Sequence, residues 1–254
     1  MVPFGIGTDG GGSIRMPSSM TGICGLKTTF GRCPSNGHIP GKCSTSTVTV
    51  AGPMAGSMVD LALFYSVISG PHSADPYSIH QTPVTVPKVF SPYLDGIRIG
   101  VDWTWARGAD PAVFANFETK IRHLEESGAT IVPFEMPELP LINVGHIVTI
   151  ATEGAEICRE HIHNQREMAA DNYVILNAAL SGAGADDYIL AARLRTRVIN
   201  NLRTIFRTMD AIATPTTGQT AEPILDGDAE GTWKFAATLR SMMFVKLANY
   251  RDRV

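Results

Sequence analysis

The first 60 residues hold a density of glycine that few folds accommodate. Gly5, Gly7, Gly10, Gly11, Gly12, Gly22, Gly25 and Gly31 fall in one short stretch. Glycine repeated at that rate implies tight turns or close backbone approach. Ile6, Ile14, Met16, Ile23 and Leu26 interrupt the run, and a flexible spacer has no use for such residues. The segment is therefore built to pack. The rest of the 254-residue chain supplies something to pack against, since 44% of it is hydrophobic and 18% charged. That balance permits a sizeable core and excludes disorder as the main state.

Beyond residue 60 the pattern turns to alternating elements. Val59 to Ile68 reads as a short helix, and Pro71 to Pro92 as a proline-rich surface connection. Ile97 to Val101 alternates as a strand. Ala112 to Ser127 follows as an amphipathic helix with Phe114, Phe117, Ile121 and Leu124 on one face, and Ala129 to Phe134 is the next strand. Strand, helix, strand in that order suggests a parallel α/β unit. Helices are expected over Ile142 to His163, over Asp186 to Met209 and over Trp233 to Ala248, with a buried strand over Asp210 to Pro215. In the long helix, Tyr188, Ala191, Leu194, Val198, Leu202 and Ile205 share a face, and Arg193, Arg195, Arg197 and Arg203 read mostly as a solvated one. The expected class is α/β, a mixed β-sheet flanked by α-helices.

Several function classes can be set aside. A net charge of −3 offers no basic field for nucleic acid. No apolar run approaches the roughly 20 residues of a membrane-spanning helix. Four cysteines are too few for a disulfide scaffold, and Met1 to Gly5 lack the features of a secretory leader. These points favour a reducing, cytoplasmic setting. Gly5-Ile6-Gly7-Thr8-Asp9-Gly10 fits G-x-G-x-x-G literally, but no strand fits before it and the next acid after Asp9 is Asp60, so a dinucleotide site is rejected. Cys24, Cys33, His38 and Cys43 are not spaced as zinc knuckles, and His161 and His163 are two apart, which puts them on different helix faces. No metal site and no cofactor are expected.

Ser13 is the strongest candidate for chemistry. Three consecutive glycines, Gly10, Gly11 and Gly12, precede it, and Ile14-Arg15 follow. Such a run lets several backbone N–H groups converge on one point, as a developing oxyanion requires. A serine at the edge of that nest is placed to attack the same carbonyl. The competing readings are a structural turn or a phosphate nest, and local spacing leaves the catalytic and non-catalytic readings even. No His or Lys adjoins Ser13 in sequence, so the residues alone give a nucleophile and a cradle without a base. Asp9 and Arg15 flank the loop with opposite charges, and a bidentate pair between them would brace the turn.

Gly7-Thr8-Asp9-Gly10-Gly11-Gly12-Ser13-Ile14-Arg15-Met16-Pro17-Ser18, followed by Gly22-Ile23-Cys24-Gly25-Leu26-Lys27-Thr28-Thr29-Phe30-Gly31-Arg32, resembles the amidase signature family. Gly52-Pro53-Met54-Ala55 with Val59-Asp60 resembles its next landmark, and Ala213 to Gly218 its later strand and loop. The stretch from Ser181 to Glu222 is most similar to the plant-type fatty acid amide hydrolase branch. Departures exist: Thr28 stands where the family has proline, Gly56 where it has arginine, and Tyr250 to Val254 in place of a Gly-x-Pro-Ala strand.

The resemblance covers nearly the whole chain, weakest between Pro71 and Pro92. It implies one partial amidase domain over 1–254, with a Gly/Ser-rich signature core at 1–60, the connection at 71–92 and an α/β remainder at 93–254. It implies hydrolysis or transfer of amides through a Ser–cis-Ser–Lys triad. Ser13 would be the nucleophile, and the N–H groups of Gly10, Gly11, Gly12 and Ser13 the oxyanion donors. The family lysine and cis-serine find no match in this sequence, and Lys27 is not that lysine. A small-molecule amide is the implied substrate. The alternative is a non-catalytic, amidase-like fragment or a partner-dependent subunit.

Overall fold

The computed structural model describes residues 2–38, 46–86, 91–162, 170–223 and 235–250. In chain order the elements are β1 (Phe4–Asp9), α1 (Arg15–Thr21), β2 (Cys24–Gly25), β3 (Val50–Ala55), α2 (Met58–Ile68), β4 (Arg98–Val101), α3 (Trp103–Ala106), α4 (Pro111–Glu126), β5 (Thr130–Pro133), α5 (Leu139–Ile157), α6 (Ala170–Gly182), α7 (Ala185–Ile205), β6 (Ala211–Ala213) and α8 (Phe235–Ser241). A 3-10 turn over Lys246–Asn249 follows α8. The class is α/β, with sheets flanked by helices.

The glycine-rich segment folds around an antiparallel sheet in the order β1-β3-β2. Residues Phe4 to Asp9 pair in register with Ala55 back to Val50. The G-x-G string is thus itself the strand, which is why no strand precedes it. Its last residue, Asp9, ends the ladder opposite Val50, and the chain breaks out there into the glycine loop and then α1. The early helix α1 is a difference from the sequence reading, since seven residues with a proline carry little helical periodicity.

The second sheet is parallel, in the order β5-β4-β6. The β4-α4-β5 passage is the expected parallel α/β unit. Pro111 opens α4, where a missing N–H costs nothing, and Phe117 and Ile121 are buried against Val101 and Ala106. β6 falls short of the buried strand expected: among the described residues it is an edge strand of three residues, with Ala211 exposed and Ile212 and Ala213 half-buried.

α5 buries Ile142, Gly145, His146 and Thr149, the spacing of one helical face. α7 buries Ala191, Val198 and Leu202 on its facing stripe, and Asp186 and Asp187 occupy its first turn, where negative charge suits the helix dipole. Met136, Ile142, Val198, Leu202, Leu247 and Tyr250 form one core cluster. The Tyr250 hydroxyl donates to the Ile142 carbonyl at 2.8 Å, tying the 3-10 turn to α5. Ile142→Val is expected to lower stability by about 0.5–1.5 kcal/mol, read from the urea midpoint.

Two sequence expectations need revision. Arg195 is half-buried: it donates to the Thr47 hydroxyl at 2.7 Å and to the Thr47 carbonyl at 3.1 Å. Glu153 accepts the same hydroxyl and the Thr47 N–H, so α5 and α7 together clamp the segment leading into β3. The helix expected to run from Trp233 to Ala248 stops at Ser241 and resumes as the 3-10 turn. Trp233 lies outside the described residues, as do Cys43 and His163.

Candidate active site

The loop between β1 and α1 is organised by one carboxylate. Asp9 is fully buried. Its Oδ1 accepts the Gly12 N–H at 2.8 Å, and its Oδ2 accepts those of Ile14 and Arg15 at 3.3 and 3.4 Å. It therefore satisfies the first amides of α1, which have no helical partner of their own. Arg15 closes on the same carboxylate with Nε and Nη2, both at 2.8 Å. The bidentate pair expected from the sequence is present.

The far end of the chain completes the brace. Arg15 Nη1 donates to the Val245 carbonyl at 2.6 Å, and Nη2 to Asn249 Oδ1 at 2.7 Å. Asn249 Nδ2 turns to Asp9 at 3.3 Å and to the Val48 carbonyl at 3.2 Å. Burial by itself pushes the Asp9 carboxyl up. The Arg15 guanidinium, the Gly12 N–H and Asn249 outweigh it and hold the group at about 2.

The glycines are sterically required. Gly12 has φ +117°, where side chains are strained, and a Cβ there would lie 2.7 Å from Val245 Cγ2. At Gly11 a Cβ would meet Met242 Cε at 2.9 Å and His146 Cε1 at 3.1 Å. The backbone runs this close because two other segments press on it. Ser13 comes next and is exposed, so its hydroxyl is not consumed by the interior.

Of the loop amides, the Gly12 N–H is given to Asp9. Among the described residues no acceptor takes the N–H of Gly11 or Ser13. No His or Lys there hydrogen-bonds the Ser13 hydroxyl, so the base that spacing failed to supply is not supplied by these residues either.

His146 of α5 is buried beneath the loop, with Nε2 2.6 Å from the Gly10 carbonyl oxygen. Burial, with Lys246 and Arg15 nearby, depresses the imidazole to about 4, against the opposing pull of the Gly10 carbonyl and Asp9. Lys246, in the 3-10 turn, is also buried, which brings its ammonium down to about 8. Sequence reading missed His146, Asn249 and Lys246. The available signal for His146 was an ionisable residue on a helical face shared with Ile142, Gly145 and Thr149.

A cavity of about 670 Å³ opens beside Arg15 and Val245, lined largely by apolar groups that include Trp105, Phe206, Ile212 and Phe244. Among the described residues no three His, Cys, Asp or Glu side chains gather as a metal centre would need, and no helix is long and apolar enough to cross a membrane.

Residues 1–252 match the Amidase family. The chain belongs to the amidase family. A fatty acid amide hydrolase of Oryza sativa subsp. indica is 34% identical over 253 residues, covering 96% of this chain and 41% of that protein. A fatty acid amide hydrolase of Arabidopsis thaliana is 33% identical, with the same coverage. A glutamyl-tRNA(Gln) amidotransferase subunit of Symbiobacterium thermophilum is 30% identical over 86% of this chain and 49% of that protein.

The chain thus spans less than half the length of these three relatives. Among solved structures, one described as a vestigial protein complex that reveals the origins of an s-triazine catabolic enzyme superposes with a TM-score of 0.81. It is 26% identical, and the match covers 98% of this chain and 53% of that one. A bacterial aryl acylamidase of the amidase signature family shares the fold at a TM-score of 0.79 and 19% identity.

Proposed function

We propose that this chain carries the nucleophile of an amide hydrolase, with Ser13 as the attacking group and N-acyl amides as the substrate class. Ser13 Oγ adds to the amide carbonyl, its proton passes to the departing nitrogen, and the C–N bond breaks to release the amine. Water then attacks the Ser13 ester, freeing the carboxylic acid and restoring the hydroxyl. The Gly11 and Ser13 N–H groups hold the carbonyl oxygen while it is negative, and Gly10 serves through its carbonyl. The apolar cavity beside Arg15 suits an acyl chain.

One observation carries this reading: an exposed serine on a loop whose neighbouring amides are held in place by the buried Asp9–Arg15 pair. The 254 residues match one member of the family triad. Their turnover on their own is therefore proposed to be slow, and a segment bearing the lysine and second serine, supplied in trans, is expected to raise it.

A serine-directed fluorophosphonate tests the reading. Oγ displaces fluoride from phosphorus, and the adduct is located by peptide mass. The adduct is expected on Ser13 in the wild type and absent from Ser13→Ala. A wild type that takes no label and turns over no amide, even with the trans segment, overturns the proposal.

A further inference from the structure

His146 sits under the loop without touching Ser13, and its hydrogen bond constrains a peptide plane. The Gly10 carbonyl oxygen can only accept, so the 2.6 Å contact requires a hydrogen on Nε2. Nδ1 is buried and has no partner among the described residues. The ring is therefore neutral, with its proton on Nε2. The depressed imidazole agrees, since burial, Lys246 and Arg15 all oppose a second proton.

The Gly10–Gly11 peptide is trans. In a trans amide the C=O and the following N–H point in opposite directions across one rigid plane. Fixing the Gly10 carbonyl on α5 therefore turns the Gly11 N–H away from α5. The ring also sets the position of this plane, because His146 Cε1 lies 3.1 Å from where a Gly11 Cβ would be. The Tyr250 ring, centred 6.2 Å away, backs the imidazole from the 3-10 turn.

We propose that His146 is a positioning residue, and that its neutral Nε2–H pins the Gly10 carbonyl so that the Gly11 N–H is presented as an oxyanion donor. This rests on the Ser13 reading, and two measurements separate the two claims.

The first is the rate of Ser13 labelling by the fluorophosphonate, whose phosphoryl oxygen takes the place of the carbonyl oxygen. His146→Phe keeps a ring and loses the donor. It is expected to slow the labelling step about 100-fold, with saturation by the probe little changed. His146→Gln restores an N–H at similar reach and is expected to recover most of the rate. Residue-specific loss of folding would lower the labelled fraction instead of the rate, and circular dichroism at the assay temperature reads it. A folded His146→Phe that labels at the wild-type rate overturns the proposal. So does a His146→Gln no faster than His146→Phe.

The second measurement needs no chemistry at Ser13. Long-range nitrogen–proton NMR of the wild type is expected to show a protonated Nε2 and a bare Nδ1 at neutral pH. A proton on Nδ1 overturns the proposal. If the wild type takes no label and turns over no amide, even with the trans segment, the Ser13 reading fails, and the Gly11 role fails with it. The imidazole spectrum then still decides the bond to Gly10.

Discussion

Asp9→Ala is expected to destabilise the protein by about 3–5 kcal/mol at neutral pH, the range for removing one partner of a buried ion pair. The loss has identifiable parts. Arg15, mostly buried with its side chain 17% exposed, is left without its carboxylate. The N–H groups of Gly12, Ile14 and Arg15 lose their acceptor. Asn249 loses one of its two. Urea unfolding at pH 7 gives the number. Adding Arg15→Leu to Asp9→Ala is expected to recover part of it, because the largest element is a stranded charge and not lost packing. A change below about 1 kcal/mol in the single variant would mean that the carboxylate does not organise this loop.

The second large effect is a loss of stability in acid. An unfolded histidine takes a proton near pH 6.5, whereas His146 in the folded chain resists until about 4. Between those values the unfolded state binds the extra proton, so stability falls as pH falls, by about 3 kcal/mol in all. The charges that face this ring are Arg15 and Lys246, which oppose protonation, and Asp9, which favours it.

Asp9 then takes over. Its folded value of about 2 lies below the ordinary 3.8. Its contribution is complete above the ordinary value and is lost as pH drops toward 2, about 2 kcal/mol more. In His146→Gln the first phase is expected to vanish while the second remains. Urea midpoints collected from pH 7 to pH 3 for the two proteins separate the phases. Equal slopes between pH 6.5 and 4 would show that His146 is not buried and neutral.

Much of this architecture was legible from residue order. The β4-α4-β5 unit was announced by alternation at Ile97 to Val101 and by the Phe114–Leu124 stripe, because a half-buried strand and a half-buried helix impose different periods on the same chain. The glycine triplet and the flanking Asp9 and Arg15 also spoke plainly, since opposite charges six residues apart across a tight turn have little choice but to meet. What stayed hidden depended on long-range contacts. Nothing near His146 reveals that its Nε2 meets the carbonyl of Gly10. Arg195 read as solvent-facing because helical spacing records which face a residue occupies, not whether another segment crosses it. The edge position of β6 was equally invisible, since an apolar tripeptide looks the same at the margin of a sheet as at its centre.

The span of the Arg15 clasp has a consequence for how the protein comes into being. Arg15 reaches Val245 across 230 residues, and Asp9 reaches Asn249 across 240. Contacts so distant in sequence are slow to form, because a very large loop must close before they return any energy. During synthesis the glycine turn leaves the ribosome long before the groups that set its shape. Throughout that interval Ser13 sits on an unfinished loop, so any chemistry it performs is withheld until Val245 and Asn249 have been made and have docked.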